Sequence, residues 1–129
     1  MPRLACTRHI GGYRCTCAMG NIYRFIEPVV LRMLRDKGES YGYDLSESLP
    51  QYALTDALIE RAALYRTLRT LEHNGYVTSK WDGTGTGPAR RVYALTPEGH
   101  THLAEWADVM RRLGETMIDF SEHVSAGAA

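Results

Sequence analysis

Across residues 21–34 the apolar side chains Ile22, Phe25, Ile26, Val29, Val30, Met33 and Leu34 recur at i, i+3, i+4, i+7 and i+8, the spacing of one buried helix face. Pro28 falls inside that pattern. A proline ring suits a first helical turn and breaks an interior, so the chain is expected either to kink there or to begin a fresh helix near Glu27. Gly38 closes the element. Tyr41-Gly42-Tyr43-Asp44-Leu45 opens a short second helix, expected to end near Leu49 because Pro50 follows. A third is expected to start at Thr55 or Asp56, both good N-cap residues, and to run to the pair Asn74-Gly75. It turns Leu64, Leu68 and Leu71 inward, which leaves Arg61, Tyr65, Arg66, Arg69 and His73 on the outward side.

The period then changes. Residues 76–81 and 91–95 are β-prone runs on either side of Asp82-Gly83-Thr84-Gly85-Thr86-Gly87-Pro88, the pattern of a hairpin with a long glycine-rich tip. Thr96-Pro97-Glu98 supplies an N-cap, a proline at the first helical position and an acid in the first turn, so a last helix begins there. Along it Leu103, Trp106, Met110, Leu113, Met117, Phe120 and Val124 fall at alternating steps of three and four, a coiled-coil-like seam. That seam is longer than the chain's own core could cover, which points to a helix from a second subunit, a homodimer. The chain therefore divides into a Cys-containing basic arm (1–20), a helical and hairpin domain (21–96), a dimerisation helix (97–124) and a frayed tail (125–129).

Composition narrows the class. At 129 residues with 44% hydrophobic and 23% charged residues the chain has enough apolar material for one core, and its apolar runs are too short for a membrane span. The first twenty residues lack the apolar stretch of a secretory signal, so a cytoplasmic location and no membrane partner are expected. Three cysteines then argue against a disulfide framework. Net charge is zero, but it is unevenly spread. Residues 1–20 carry Arg3, Arg8 and Arg14 and no acid, whereas 39–59 carry Glu39, Asp44, Glu47 and Asp56 and no Lys or Arg. A neutral total is thus compatible with a polyanionic partner.

Three stretches taken together resemble the PadR family of transcriptional regulators. They are Tyr41-Gly42-Tyr43-Asp44-Leu45, then Ala63-Leu64-Tyr65-Arg66-Thr67-Leu68-Arg69-Thr70-Leu71-Glu72 through Asn74-Gly75, and Gly87-Pro88-Ala89-Arg90-Arg91-Val92-Tyr93-Ala94-Leu95-Thr96-Pro97-Glu98-Gly99. The resemblance spans about residues 22–120. It implies an α+β, mainly α, winged helix-turn-helix with a C-terminal dimerisation helix, and a repressor of transcription released by a small-molecule effector or other signal. Two features depart from the pattern: the segment 51–61 is long for a link into the recognition helix, and the arm 1–20 lies outside it.

Elementary chemistry agrees with a double-stranded DNA operator as partner. A major groove about 12 Å wide admits one helix, so the third helix can present Arg66 and Arg69 to base edges or phosphates. The arginine fork suits both, since it donates two bonds at once. Tyr65 is read either as a phosphate donor or as a packed aromatic. Lys80, Arg90 and Arg91 would bring the wing onto the neighbouring backbone or minor groove. Trp106 serves either as seam packing or, with Met110, as the lining of an apolar effector pocket.

Other chemistry finds little support. Gly83, Gly85 and Gly87 sit at a hairpin tip with no following helix or lysine, and His100 and His102 diverge on a helix, so no enzyme is expected. Cys6, His9, Cys15 and Cys17 lie within twelve residues and could wrap zinc or iron, act as a redox sensor, or remain free thiols. Two rivals keep the fold and change the role. One is a metal- or redox-responsive interaction protein without DNA binding, and the other a small-molecule carrier built on the dimer pocket. Salt-dependent duplex affinity separates the regulator from both.

Overall fold

Helix α1 (Ile26–Lys37) lies in the middle of the core, with Val29, Val30, Leu31, Met33 and Leu34 all buried. The computed structural model describes residues 25–54, 59–83, 87 and 89–127. Pro28 lies in the first turn of α1, where its missing N–H has no intrahelical acceptor to lose, so the fresh start near Glu27 is realised and the helix is not broken. At the other end Gly38 takes φ 72° and returns its N–H to the Leu34 carbonyl at 2.9 Å.

Strand β1 (Ser40–Tyr41) leads directly into α2 (Gly42–Tyr52). The expected stop at Pro50 does not occur. The ring removes a single N–H close to the helix end, and Ala53 still closes the last turn on the Leu49 carbonyl at 3.0 Å. Helix α3 (Arg61–His73) starts later than Thr55 or Asp56: Glu60 is extended, with φ −69° and ψ 145°, and its carbonyl takes the first helical bonds. Leu54 and Ile59, on either side of that link, pack against the core outside any helix, which is why capping side chains upstream did not set the start. The end falls where expected. Gly75 at φ 83° lets its own N–H reach Glu72 O at 3.1 Å and that of Tyr76 reach Leu71 O at 2.9 Å.

Strands β2 (Val77–Asp82) and β3 (Arg90–Leu95) pair antiparallel from Val77↔Leu95 to Asp82↔Arg90, and β1 adds to the other side of β3 through Ser40↔Tyr93. The order β1-β3-β2 places the inward residues Val77 and Tyr93 against Leu64, Leu68 and Leu71 of α3, all within one cluster.

Helix α4 (Pro97–Gly127) begins as the sequence indicates: Thr96 Oγ1 accepts the Gly99 N–H at 3.0 Å and donates to the Gly75 carbonyl at 2.7 Å. It continues through Ser125 to Gly127, beyond the expected fraying point. Gly99 is buried so tightly against the Tyr76 carbonyl that a Cβ there would stand 2.1 Å from the oxygen. The expected seam is divided. Leu103 and Trp106 pack on the chain's own core, whereas Leu113, Met117, Phe120 and Val124, with Val109 and Ile118, are exposed. Among the described residues no helix is long and apolar enough to cross a membrane.

Candidate nucleic-acid interface

Ala63, Leu64, Leu68 and Leu71 fix α3 in the core, and the 3.6-residue period then obliges Arg66, Arg69 and Thr70 to face solvent. Arg66 and Arg69 form no ion pair among the described residues. Arg61, at the start of the helix, is turned back onto α2, with Nε donating to Ser46 Oγ at 3.1 Å and the guanidinium over the Tyr43 ring. Tyr65 is half-buried, its ring pressed on the first residue of α2: a Cβ at Gly42 would lie 2.8 Å from its Cε1 and 3.0 Å from its hydroxyl. Helices α2 and α3 therefore cross at a glycine, and the helix-turn-helix is tight at that point.

The wing is joined to α3 by a polar network invisible in the sequence. Glu72 near the end of α3 accepts from Ser79 Oγ on β2 and pairs with Arg91 Nη2 on β3 at 3.0 Å, while Arg91 Nε donates to Ser79 Oγ at 2.9 Å. Lys80 lies 3.1 Å from Glu39, and Arg90 sits over the Tyr41 ring, whose hydroxyl donates to Asp82 at 2.6 Å. That hydrogen bond, with the carboxylate's charge, raises the Tyr41 pKa. Burial raises the pKa of Tyr93, and the nearby guanidinium groups of Arg91 and Arg69 oppose the shift, so the hydroxyl of Tyr93 marks where α3 and the wing meet. Of the six sequence-derived contact residues, Arg66 and Arg69 are the cations left uncommitted, and Lys80, Arg90 and Arg91 are engaged within the chain. Sequence reasoning missed Glu72 and Ser79, and it missed Trp81, which is 67% exposed on β2.

Between α1 and α4, Trp106 donates its indole N–H to Glu27 Oε1 at 3.0 Å, and His102 Nε2 meets the same oxygen at 2.5 Å while its ring stacks on Tyr76 at 3.9 Å. Met110 lines a cleft of about 450 Å³ between α1 and α4 with Pro28, Val29, Tyr52, Leu54, Leu103 and Ala107, and Arg32, Arg35 and His100 at its edge. Cys6, His9, Cys15 and Cys17 lie outside the described residues, and among the described residues no group of three or more His, Cys, Asp or Glu could hold a metal ion.

A helix-turn-helix of α2 and α3 beside a β2–β3 wing defines a winged-helix DNA-binding protein. Comparison with known sequences agrees: the model of the transcriptional regulator PadR-like family matches residues 30–105, more than half of the chain. The chain belongs to that family, whose members are transcription regulators and not enzymes. It is 26% identical over 88 residues to an uncharacterised protein of Lysinibacillus sphaericus, a match covering 65% of this chain and 80% of that protein. It is also 27% identical over 96 residues to the negative transcriptional regulator PadR of Bacillus subtilis, covering 74% of this chain and about half, 52%, of that one. Among solved structures, a PadR family transcriptional regulator from Eggerthella lenta superposes with TM-score 0.64 at 28% identity, covering 79% of this chain and 82% of the other.

Proposed function

We propose that the protein is a homodimeric repressor of transcription that reads a near-palindromic operator with α3 and is released by an effector. The observation that carries the reading is the pair Arg66 and Arg69, exposed, unpaired among the described residues and one helical turn apart on a helix whose other side is locked in the core. Arginines held this way can fork to guanine edges or phosphates without first breaking an internal ion pair. Lys80, Arg90 and Arg91 act from the wing, with Arg91 chiefly holding it to α3 through Glu72, and Tyr65 adds its hydroxyl at the α2–α3 crossing. The bare apolar surface of α4 beyond Met110 is covered by the same surface of a second copy, and two-fold protein symmetry then calls for two-fold half-sites about one helical turn apart.

The repressor assignment leans on likeness to the Bacillus subtilis negative regulator. For the effector, the cleft beside Met110 offers apolar walls with cationic edges, suited to a small molecule with an anionic group. Zinc, iron or oxidant acting on Cys6, His9, Cys15 and Cys17 is the other signal proposed. Sequencing duplexes retained by the protein from a genomic fragment pool tests the core of this reading. Arg66→Ala and Arg69→Ala should each weaken binding to a retained duplex by about 1–3 kcal/mol, and unchanged affinity in both would remove α3 as the reading helix. Elemental analysis of protein purified without chelator tests the metal: about one equivalent per chain supports it, and less than roughly a tenth leaves free thiols.

A further inference from the structure

Each cation on the strands of this wing has an acid close by. Lys80 lies on Glu39, Arg91 on Glu72, and Arg90 is placed opposite Asp82 in the β2–β3 register. A hairpin balanced in this way has little net charge with which to displace counterions from a polyanion. What it does expose is an aromatic ring. Residues 77, 79 and 81 share one face of β2 by strand alternation. Val77 on that face enters the core, Ser79 bonds Glu72 of α3, and Trp81 comes next toward the tip, directly across from Arg91. Trp81 therefore stands on the side of the wing that α3 also borders, level with the Arg91 that pairs with Glu72 of α3. The Arg91 guanidinium lies 5.7 Å from its ring centre and 6.0 Å from that of Tyr93, which holds the indole beside the sheet while most of its surface remains in solvent.

Resting on the DNA-binding reading above, we infer that Trp81 is the wing's principal DNA contact, seating its ring on the sugars and base edges of the minor groove next to the major-groove segment entered by α3. The contact is apolar. Arg66 and Arg69 supply the charge complementarity that brings the duplex onto this face, and the ring supplies contact area that no neighbouring ion pair has to open to provide.

An apolar contact and an ionic one respond differently to salt, and this decides the matter. With a labelled duplex recovered from the genomic pool, Trp81→Ala should lower affinity at least about tenfold at every salt concentration and leave the slope of log affinity against log salt unchanged, while Trp81→Phe regains most of the loss. Arg69→Ala should instead flatten that slope by about one. As a second reading, Trp106→Phe leaves Trp81 as the sole tryptophan, and its emission should be quenched when duplex is added. Wild-type binding with Trp81→Ala within about twofold, or with Trp81 emission indifferent to duplex, would overturn the inference and leave the DNA-binding reading standing. A Trp81→Ala protein that sediments differently from wild type would overturn it in favour of a second copy on that ring, and a wild-type protein that retains no duplex would overturn both.

Discussion

The two halves of α4 share one apolar period and meet two different environments. Up to Met110 the helix is tied to its own domain: Thr96 caps it, Gly99 presses on Tyr76, and Trp106 and His102 converge on Glu27. Beyond Met110 the same spacing leaves Leu113, Met117, Phe120 and Val124 in solvent, Phe120 at 71% exposure. The first half is stabilised by particular atoms and the second by whatever covers it. An isolated helix with that much bare apolar surface would be poorly soluble, which supports the proposal that a second copy covers this half. Periodicity identifies which positions need burial; it does not identify who buries them.

The contrast makes the two halves respond oppositely to substitution. The largest effect is expected at the root: Gly99→Ala drives a methyl into the Tyr76 carbonyl and should lower unfolding stability by about 3 kcal/mol or more, read as a fall in denaturant midpoint. In the free half, Leu113→Glu should leave each domain folded but place an uncompensated charge in the subunit contact, so sedimentation should report monomer and operator affinity should drop with it. A Leu113→Glu protein that stays dimeric would show that this half of α4 is not the interface. Returning to the docked half, Glu27→Ala removes the one acceptor shared by Trp106 and His102, both partly exposed, and should cost about 1 kcal/mol with a red shift in Trp106 emission. The smallest effect is expected for Arg112→Ala. Its pair with Asp108 at 3.2 Å is solvent-exposed, so stability should change by less than about 0.5 kcal/mol.

Much of the architecture was legible because it depends on local rules. The inward set Leu64, Leu68 and Leu71 and the Thr96-Pro97 start of α4 follow from helical period and capping, and both stand in the structure. Boundaries were less secure. Thr55 and Asp56 were able to cap a helix, yet Glu60 is extended and α3 begins at Arg61, because a capping side chain permits a start without compelling one. Pro50 failed to stop α2 for the complementary reason, since it fell in the last turn, where one lost N–H matters little. At the interface the sequence could place Arg91 on the wing but not its tie to Glu72, nineteen residues away. Tertiary pairing of that kind depends on the fold and leaves no periodic trace. Trp106 shows the same limit: the period places it in the apolar row of α4 but does not name its neighbour, Glu27 of α1.

The contact between Gly99 and Tyr76 also makes α4 a lever with a fixed pivot. At 1.5 Å per residue the arm from Gly99 to Gly127 is about 42 Å long, so a tilt of about 5° at the pivot carries its far end through about 4 Å. That travel is comparable with the 3.4 Å step between base pairs. In a dimer joined at the far ends of two such arms the gearing runs both ways: a wedge a few ångströms thick between α1 and α4 would be enough to put two DNA-reading heads out of step with the helical repeat they must match. In such a dimer a short displacement beside the pivot would be amplified into a mismatch of phase, and neither head would have to unfold or change its own shape.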